Sequence, residues 1–212
     1  VTVVEGASHV MPPIDMDMAH QVHNYIRAQG IDLYLGQTCT AMDKDGVILK
    51  DGRKIPADMV ILSIGVRPDT GFLKDSGIEL GARGEILVNS YMETSAPDVY
   101  ALGDAASVRH IVSGKQVLIP LASPANKQGR IVGDNLCGRK TAYRGSQGTS
   151  IMKFFGLTVA VTGEKEENLQ AQGRAFCKVI TTSASQAGYY PGGEMMTVKT
   201  LFEPDTGRIL GA

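Results

Sequence analysis

The chain has 212 residues, an apolar fraction of 43% and a formal net charge of -1. That apolar content excludes a disordered chain, and the balanced, dispersed Lys and Arg exclude a nucleic-acid-binding face or an acidic-membrane surface. No apolar run approaches the ~18 residues of a membrane helix, and Cys39, Cys137 and Cys177 lack CxxC spacing, which is the cysteine usage of a reducing, cytoplasmic setting.

In chain order, Val1–Val4 reads as a buried strand that ends at Glu5. The pattern predicts a helix over Asp15–Gln29: Asp15 suits the N-cap, Met18, Val22 and Ile26 share a face, and Gly30 closes it. Ile31–Leu35 is the next strand, which completes a β-α-β unit of parallel crossover length. Gln37–Lys54 holds two short strand patterns around Asp45-Gly46 and Asp51-Gly52, an antiparallel meander. Met59–Ile64 is a strongly apolar run that predicts a strand ending at Gly65. Gly84–Val88 and Val99–Leu102 read as further strands, and Ser123–Leu136 as a helix starting near Pro124.

Past Arg144 the texture becomes α+β, which predicts a separate unit with its boundary near Ala142–Gly148. Thr149–Phe155 and Leu157–Gly163 are strands joined at Gly156, and Lys165–Gln172 is a helix closed by Gly173. Phe176–Thr182 and Thr197–Phe202 are β-rich, and a Pro204–Gly207 turn leads to a last strand. Both ends fall inside apolar strand patterns, so the expectation is a piece of a longer chain, inactive by itself.

Two carboxylates stand at strand ends, where ligands bind in open α/β sheets. Glu5 is placed to accept hydrogen bonds from an adenosine ribose, which would favour NAD(H) over NADP(H); the competing reading is a solvated acid. Asp104 follows Gly103, so a hydroxyl chain can approach closely; the competing reading is a helix N-cap. The cysteines read as fillers, His20 and His23 lack the company of a metal site, and Met195-Met196 reads as core filling.

Four stretches carry a family resemblance. Thr94–Asp104 (TSAPDVYALGD) resembles the second FAD-binding motif of flavoproteins with two dinucleotide-binding domains. Ile61–Pro68 (ILSIGVRP) is similar to their crossing from NAD domain to FAD domain. Ile119–Arg130 (IPLASPANKQGR) resembles the segment beneath the isoalloxazine ring, and Ala187–Gly192 (AGYYPG) a motif of coenzyme A-disulfide reductases and NADH-dependent persulfide reductases. The whole chain thus resembles the pyridine nucleotide-disulfide oxidoreductase family.

The resemblance implies an α/β fold with parts of two Rossmann-like domains, NAD-binding over residues 1–66 and FAD-binding over 67–144, then part of an α+β dimerisation domain over 145–212. It implies FAD and NAD(H) as cofactors, a coenzyme A-type disulfide or persulfide substrate, and a homodimer. Asp104 would bind the FAD ribityl hydroxyls beside Gly103, Leu121 and Ala122 would meet the flavin edge, and the helix from Ser123-Pro124 would aim its N-terminus at the ring. Gly65 and Pro120 would line the nicotinamide site. Tyr189 would act at the partner subunit's substrate sulfur, and because Tyr189 and Tyr190 are adjacent they are expected to point apart. The family's redox cysteine matches none of the three here. The alternatives are an NADH oxidase or peroxidase on the same scaffold, or a folded dimerisation module without activity.

Overall fold

The computed structural model describes residues 1–212. Strand β1 (Thr2–Glu5) pairs in parallel with β2 (Asp32–Leu35), and helix α1 (Met16–Ala28) forms the crossover. The helix buries Ala19, Val22, His23 and Ile26, the spacing of a single face. The meander has three strands rather than two: β3 (Cys39–Asp43), β4 (Gly46–Leu49) and β5 (Lys54–Pro56), with β4 buried between its exposed neighbours.

The apolar run Met59–Ile64 forms no strand. Ile61 is 79% and Ile64 90% exposed. A strand exists only as part of a ladder, and no segment of the chain pairs with this one. Gly84–Val88 and Val99–Leu102 likewise fall short of strands. Ile86 makes single bridges to Leu80 and Ala106, and Tyr100 one to Glu93. An unanticipated hairpin follows, β6 (Ser107–Arg109) with β7 (Gln116–Leu118), and leads into α2 (Ala122–Leu136).

The remainder comprises hairpin β8 (Ser150–Phe154) and β9 (Leu157–Val161), short helix α3 (Glu166–Ala171), and an antiparallel sheet of β10 (Cys177–Ala184), β11 (Met195–Phe202) and β12 (Ile209–Gly211). This part packs against the β-α-β unit. The face of α1 shares a core with Phe154, Leu157, Val159 and Val161, and the Gly156 N–H donates to the Tyr25 hydroxyl at 2.9 Å. Fully burying an aliphatic or phenylalanine side chain contributes about 1.5–3 kcal/mol; these four are partly buried and contribute a share of that each, which seats the amphipathic helix against the hairpin. Met195 and Met196 are 69% and 47% exposed, so they fill no core; they lie at the start of β11, opposite the exposed end of β10.

Candidate functional site

Helix α2 begins at an extended Leu121 (φ -131°, ψ 143°) with no side-chain cap and no acid in its first turn. By contrast, α1 and α3 carry Asp17 and Glu166 with Glu167 in theirs. The first-turn N–H groups and the positive end of the helix dipole are therefore left for an external acceptor. Leu121 is half-buried, and Pro120, Ala122 and Ser123 are exposed.

Gly103 adopts φ +82°, which a side chain would strain, and open space surrounds its Cα where a Cβ would project. The Ala106 N–H donates to the Gly103 carbonyl at 3.1 Å, closing a turn that presents Asp104 to solvent. That turn leads directly into β6, so the N-cap alternative for Asp104 fails: no helix follows it.

One side chain joins these two features. Gln128, 1% exposed on α2, accepts the Gly103 N–H on its Oε1 at 2.7 Å. Met92, Ala106 and Val132 form the core beneath, with Tyr100, Ala101, Ile131 and Tyr143 packed around it. Burial raises the Tyr143 phenol above its ordinary value, and hydrogen bonds with Gln128 and Ser146 partly offset this. A pattern of periodicity alone treats a glutamine as surface. The available signal was its place at spacing four between Pro124 and Val132, both buried.

The array suits FAD. An exposed carboxylate beside a glycine accepts from sugar-like hydroxyls, and an uncapped helix N-terminus donates to a carbonyl or anionic ring edge.

Glu5 ends β1, where its Oε1 accepts the Ala7 N–H at 2.8 Å and its main-chain carbonyl accepts the Gln37 N–H at 3.0 Å. The carboxylate is thus fixed at the carboxyl end of a parallel pair. The loop after it is held by His23, whose Nε2 accepts the Val10 N–H at 3.2 Å. Burial, with the charges of Arg27, His20 and His9, holds His23 below its ordinary pKa and so favours the neutral acceptor. Gly65 takes φ +93° in the unpaired segment after Met59–Ile64, and nothing within the chain brings it to Glu5 through a shared sheet. Tyr189 is 82% exposed on the β10–β11 loop. Its ring and that of Tyr190 lie with centroids 4.8 Å apart, side by side rather than pointing apart.

A second cluster escaped the sequence reading. The buried Lys199 Nζ lies 2.9 Å from Asp15 and 2.8 Å from Asp17, and also contacts Glu166. Lys178 adds a bond to Glu166 at 2.9 Å. Burial opposes ionisation of Asp17 and Glu166, but Lys199 and Lys178 more than offset it and hold both below the carboxylate range. Burial likewise opposes the Lys199 charge, and the carboxylates reverse this and raise its pKa. Asp15 does occupy the N-cap position of α1, yet its Oδ1 accepts the Glu166 N–H of α3 at 2.9 Å instead of capping its own helix. The two lysines supply the counter-charge, so this is a structural ion-pair network. The cysteines are all exposed and unbridged, and none belongs to either cluster.

A β-α-β unit with a carboxylate at its strand end, followed by a glycine–aspartate turn tied to a donor helix, defines a nucleotide-binding α/β protein of the flavoprotein type. The family model described as "Pyridine nucleotide-disulphide oxidoreductase" matches residues 1–129. The chain belongs to the pyridine nucleotide-disulphide oxidoreductase family, whose cofactors are FAD and NAD(P)H.

It is similar to the NAD(P)H sulfur oxidoreductase (CoA-dependent) of Pyrococcus furiosus, 36% identical over 164 residues, 77% of this chain and 37% of that protein. It is 34% identical to the NADH oxidase of Enterococcus faecalis over 217 residues, 100% of this chain and 48% of that protein. The crystal structure of reduced Bacillus anthracis CoADR-RHD superposes with a TM-score of 0.96 at 42% identity, covering 100% of this chain and 38% of the other. The chain spans less than half the length of these relatives. No helix is long and apolar enough to cross a membrane.

Proposed function

We propose that the whole protein is a cytoplasmic, homodimeric, FAD-dependent reductase that uses NADH to reduce a disulfide or persulfide of a coenzyme A-type thiol. The observation that carries this reading is the Gly103 N–H to Gln128 bond, because it holds the two flavin-like motifs in one array. FAD, when bound, supplies the two-electron chemistry between nicotinamide and sulfur.

The chain's own residues bind and orient. Asp104 accepts from ribityl hydroxyls, Gly103 clears the approach, and the Leu121-Ala122 segment at the start of α2 donates to the ring edge and favours negative charge there. Glu5 accepts from the adenosine ribose and disfavours a 2′-phosphate. Gly65 and Pro120 leave room for the nicotinamide. The redox-active cysteine, whose sulfur would take electrons only in its oxidised, disulfide-bonded form, is assigned to none of Cys39, Cys137 and Cys177. Residues 1–66, 67–144 and 145–212 serve as NAD-binding, FAD-binding and dimerisation parts, and Tyr189 projects from the last toward a partner's substrate. The AGYYPG stretch and the sulfur-reducing relative favour sulfur as acceptor. The similarity to an NADH oxidase supports a second reading, oxygen as acceptor on the same scaffold.

The test uses the natural full-length protein. Anaerobic NADH should bleach its flavin absorbance, and coenzyme A disulfide or persulfide should restore it faster than air does. Asp104→Ala should lower flavin content after dialysis, since each hydrogen bond to a charged acceptor contributes about 1.5–3 kcal/mol. Faster recovery in air would select the oxidase reading, and undiminished flavin in Asp104→Ala would overturn the site.

A further inference from the structure

We propose that Gln128 is a positioning residue for FAD: its buried amide sets the Gly103-Asp104 turn and thereby fixes where the Asp104 carboxylate meets the ribityl chain. The inference rests on the assignment of Asp104 made above and deepens it.

The observations are local and mutually constraining. Gln128 is 1% exposed and lies two turns into a 15-residue helix, on the stripe shared with Pro124 and Val132. An apolar side chain would be the ordinary occupant of such a position. Its Oε1 instead accepts the Gly103 N–H at 2.7 Å, across 25 residues of sequence. The Gly103 carbonyl is already engaged by the Ala106 N–H, so both main-chain polar groups of this glycine are fixed, one by its own turn and one by the helix. Gly103 at φ +82° has little steric restraint of its own. The Gln128 bond is therefore what locks its orientation, and the residue it aims is the next one, Asp104. The result is a polar strut from the donor helix to the acceptor turn, so both ends of the array keep a fixed relation.

Three side chains at this position separate the roles. Gln128→Leu keeps bulk and loses the acceptor. Gln128→Asn keeps an amide but is too short to reach. Gln128→Glu keeps an oxygen at the same reach, whether ionised or not. The experiment measures the rate of FAD release from the full-length holoenzyme on dilution, by recovery of free-flavin fluorescence, for these variants with and without Asp104→Ala.

Gln128→Leu and Gln128→Asn should speed release about tenfold or more, and Gln128→Glu should stay within about threefold of wild type. In the Asp104→Ala background the Gln128→Leu effect should shrink to less than about threefold, because a strut has nothing left to aim. Unaltered release in Gln128→Leu overturns the proposal, as does an equal effect in both backgrounds, which would mark Gln128 as a general packing residue. If Gln128→Leu does not fold, Asn against Glu decides: equal release by the two overturns it. Failure of the underlying reading is distinguishable, because then Asp104→Ala alone leaves release unchanged.

Discussion

Replacing Lys199 by Met keeps most of the stem's volume and deletes the charge, so the loss measured is electrostatic rather than a cavity. The lysine side chain is 5% exposed, and its partners Asp15, Glu166 and Asp17 are 9%, 15% and 37% exposed. Breaking a buried ion pair from one side costs about 3–5 kcal/mol, because the stranded charges stay behind. Solvent screens the more exposed Asp17, and Lys178 remains beside Glu166, so the expectation falls to roughly 2–3 kcal/mol. In a domain of this size that lowers Tm by roughly 5–10 °C.

The sign with pH follows from the shifts. The lowered pKa values of Asp17 and Glu166 contribute stability that is present above their unfolded values of 3.8 and 4.5 and lost as pH falls through the lower folded ones. The raised Lys199 value contributes stability that is full below the unfolded 10.5 and lost only as pH rises through the higher folded value. The wild-type network is therefore intact from about pH 5 to pH 9. In Lys199→Met, three carboxylates face one another with a single lysine, and proton uptake relieves them. Thermal melts of the full-length protein by circular dichroism should show the largest deficit near pH 8 and a smaller one near pH 5. A shift below about 1 °C, or equal deficits at both pH values, would refute the reasoning.

Glu5→Gln removes the charge that repels a 2′-phosphate, so the NADH over NADPH ratio of kcat/KM should fall about 5–20-fold; an unchanged ratio removes Glu5 from the nucleotide site. Tyr189→Phe should leave flavin content, Tm and anaerobic flavin reduction by NADH as they were, while slowing disulfide or persulfide turnover about 10–100-fold. Wild-type turnover would end its catalytic assignment, and so would a slowed flavin-reduction step. Because neutral His23 holds the loop after Glu5 and its pKa is lowered, its contribution is present above the unfolded 6.5 and is lost as pH falls through the folded value. Hydrogen exchange at the Val10 amide, corrected for intrinsic rate, should therefore quicken as pH falls from 6.5 through the lower folded value. A flat corrected rate from pH 7.5 to pH 5 would show that the bond does not hold the loop.

What the sequence disclosed was what periodicity and local chemistry encode. The α1 stripe, Gly30 as its stop and the flanking strands give the β-α-β unit, because a 13-residue amphipathic helix dictates its own buried face. The Asp45-Gly46 turn marks one corner of the meander for the same local reason. Met59–Ile64 misled because apolarity signals burial, whereas a strand is a property of two segments. Lys199 and Asp17, 182 residues apart, meet only after α1 docks on the second half of the chain, and no window contains both. Gln128 stayed hidden because a glutamine on a helix is ordinarily solvated; only its registry with buried neighbours marks it. Adjacency alone suggests that Tyr189 and Tyr190 diverge, yet in this loop their rings lie side by side. For the site, Gly103, Asp104 and the start of α2 were legible as motifs, but the bond that couples them was not.

The unpaired stretch from Met59 to Val66 also matters for handling this polypeptide in solution. It reads MVILSIGV, without charge or proline, and Met59, Ile61, Ile64 and Val66 are 79%, 79%, 90% and 82% exposed. Uncharged, β-prone segments of this length with free backbone groups are templates for intermolecular strand addition. Produced as these 212 residues, the chain would be drawn toward fibrillar or amorphous self-association through this one segment. A lysine in place of Ile61 or Ile64 would act as a gatekeeper against it.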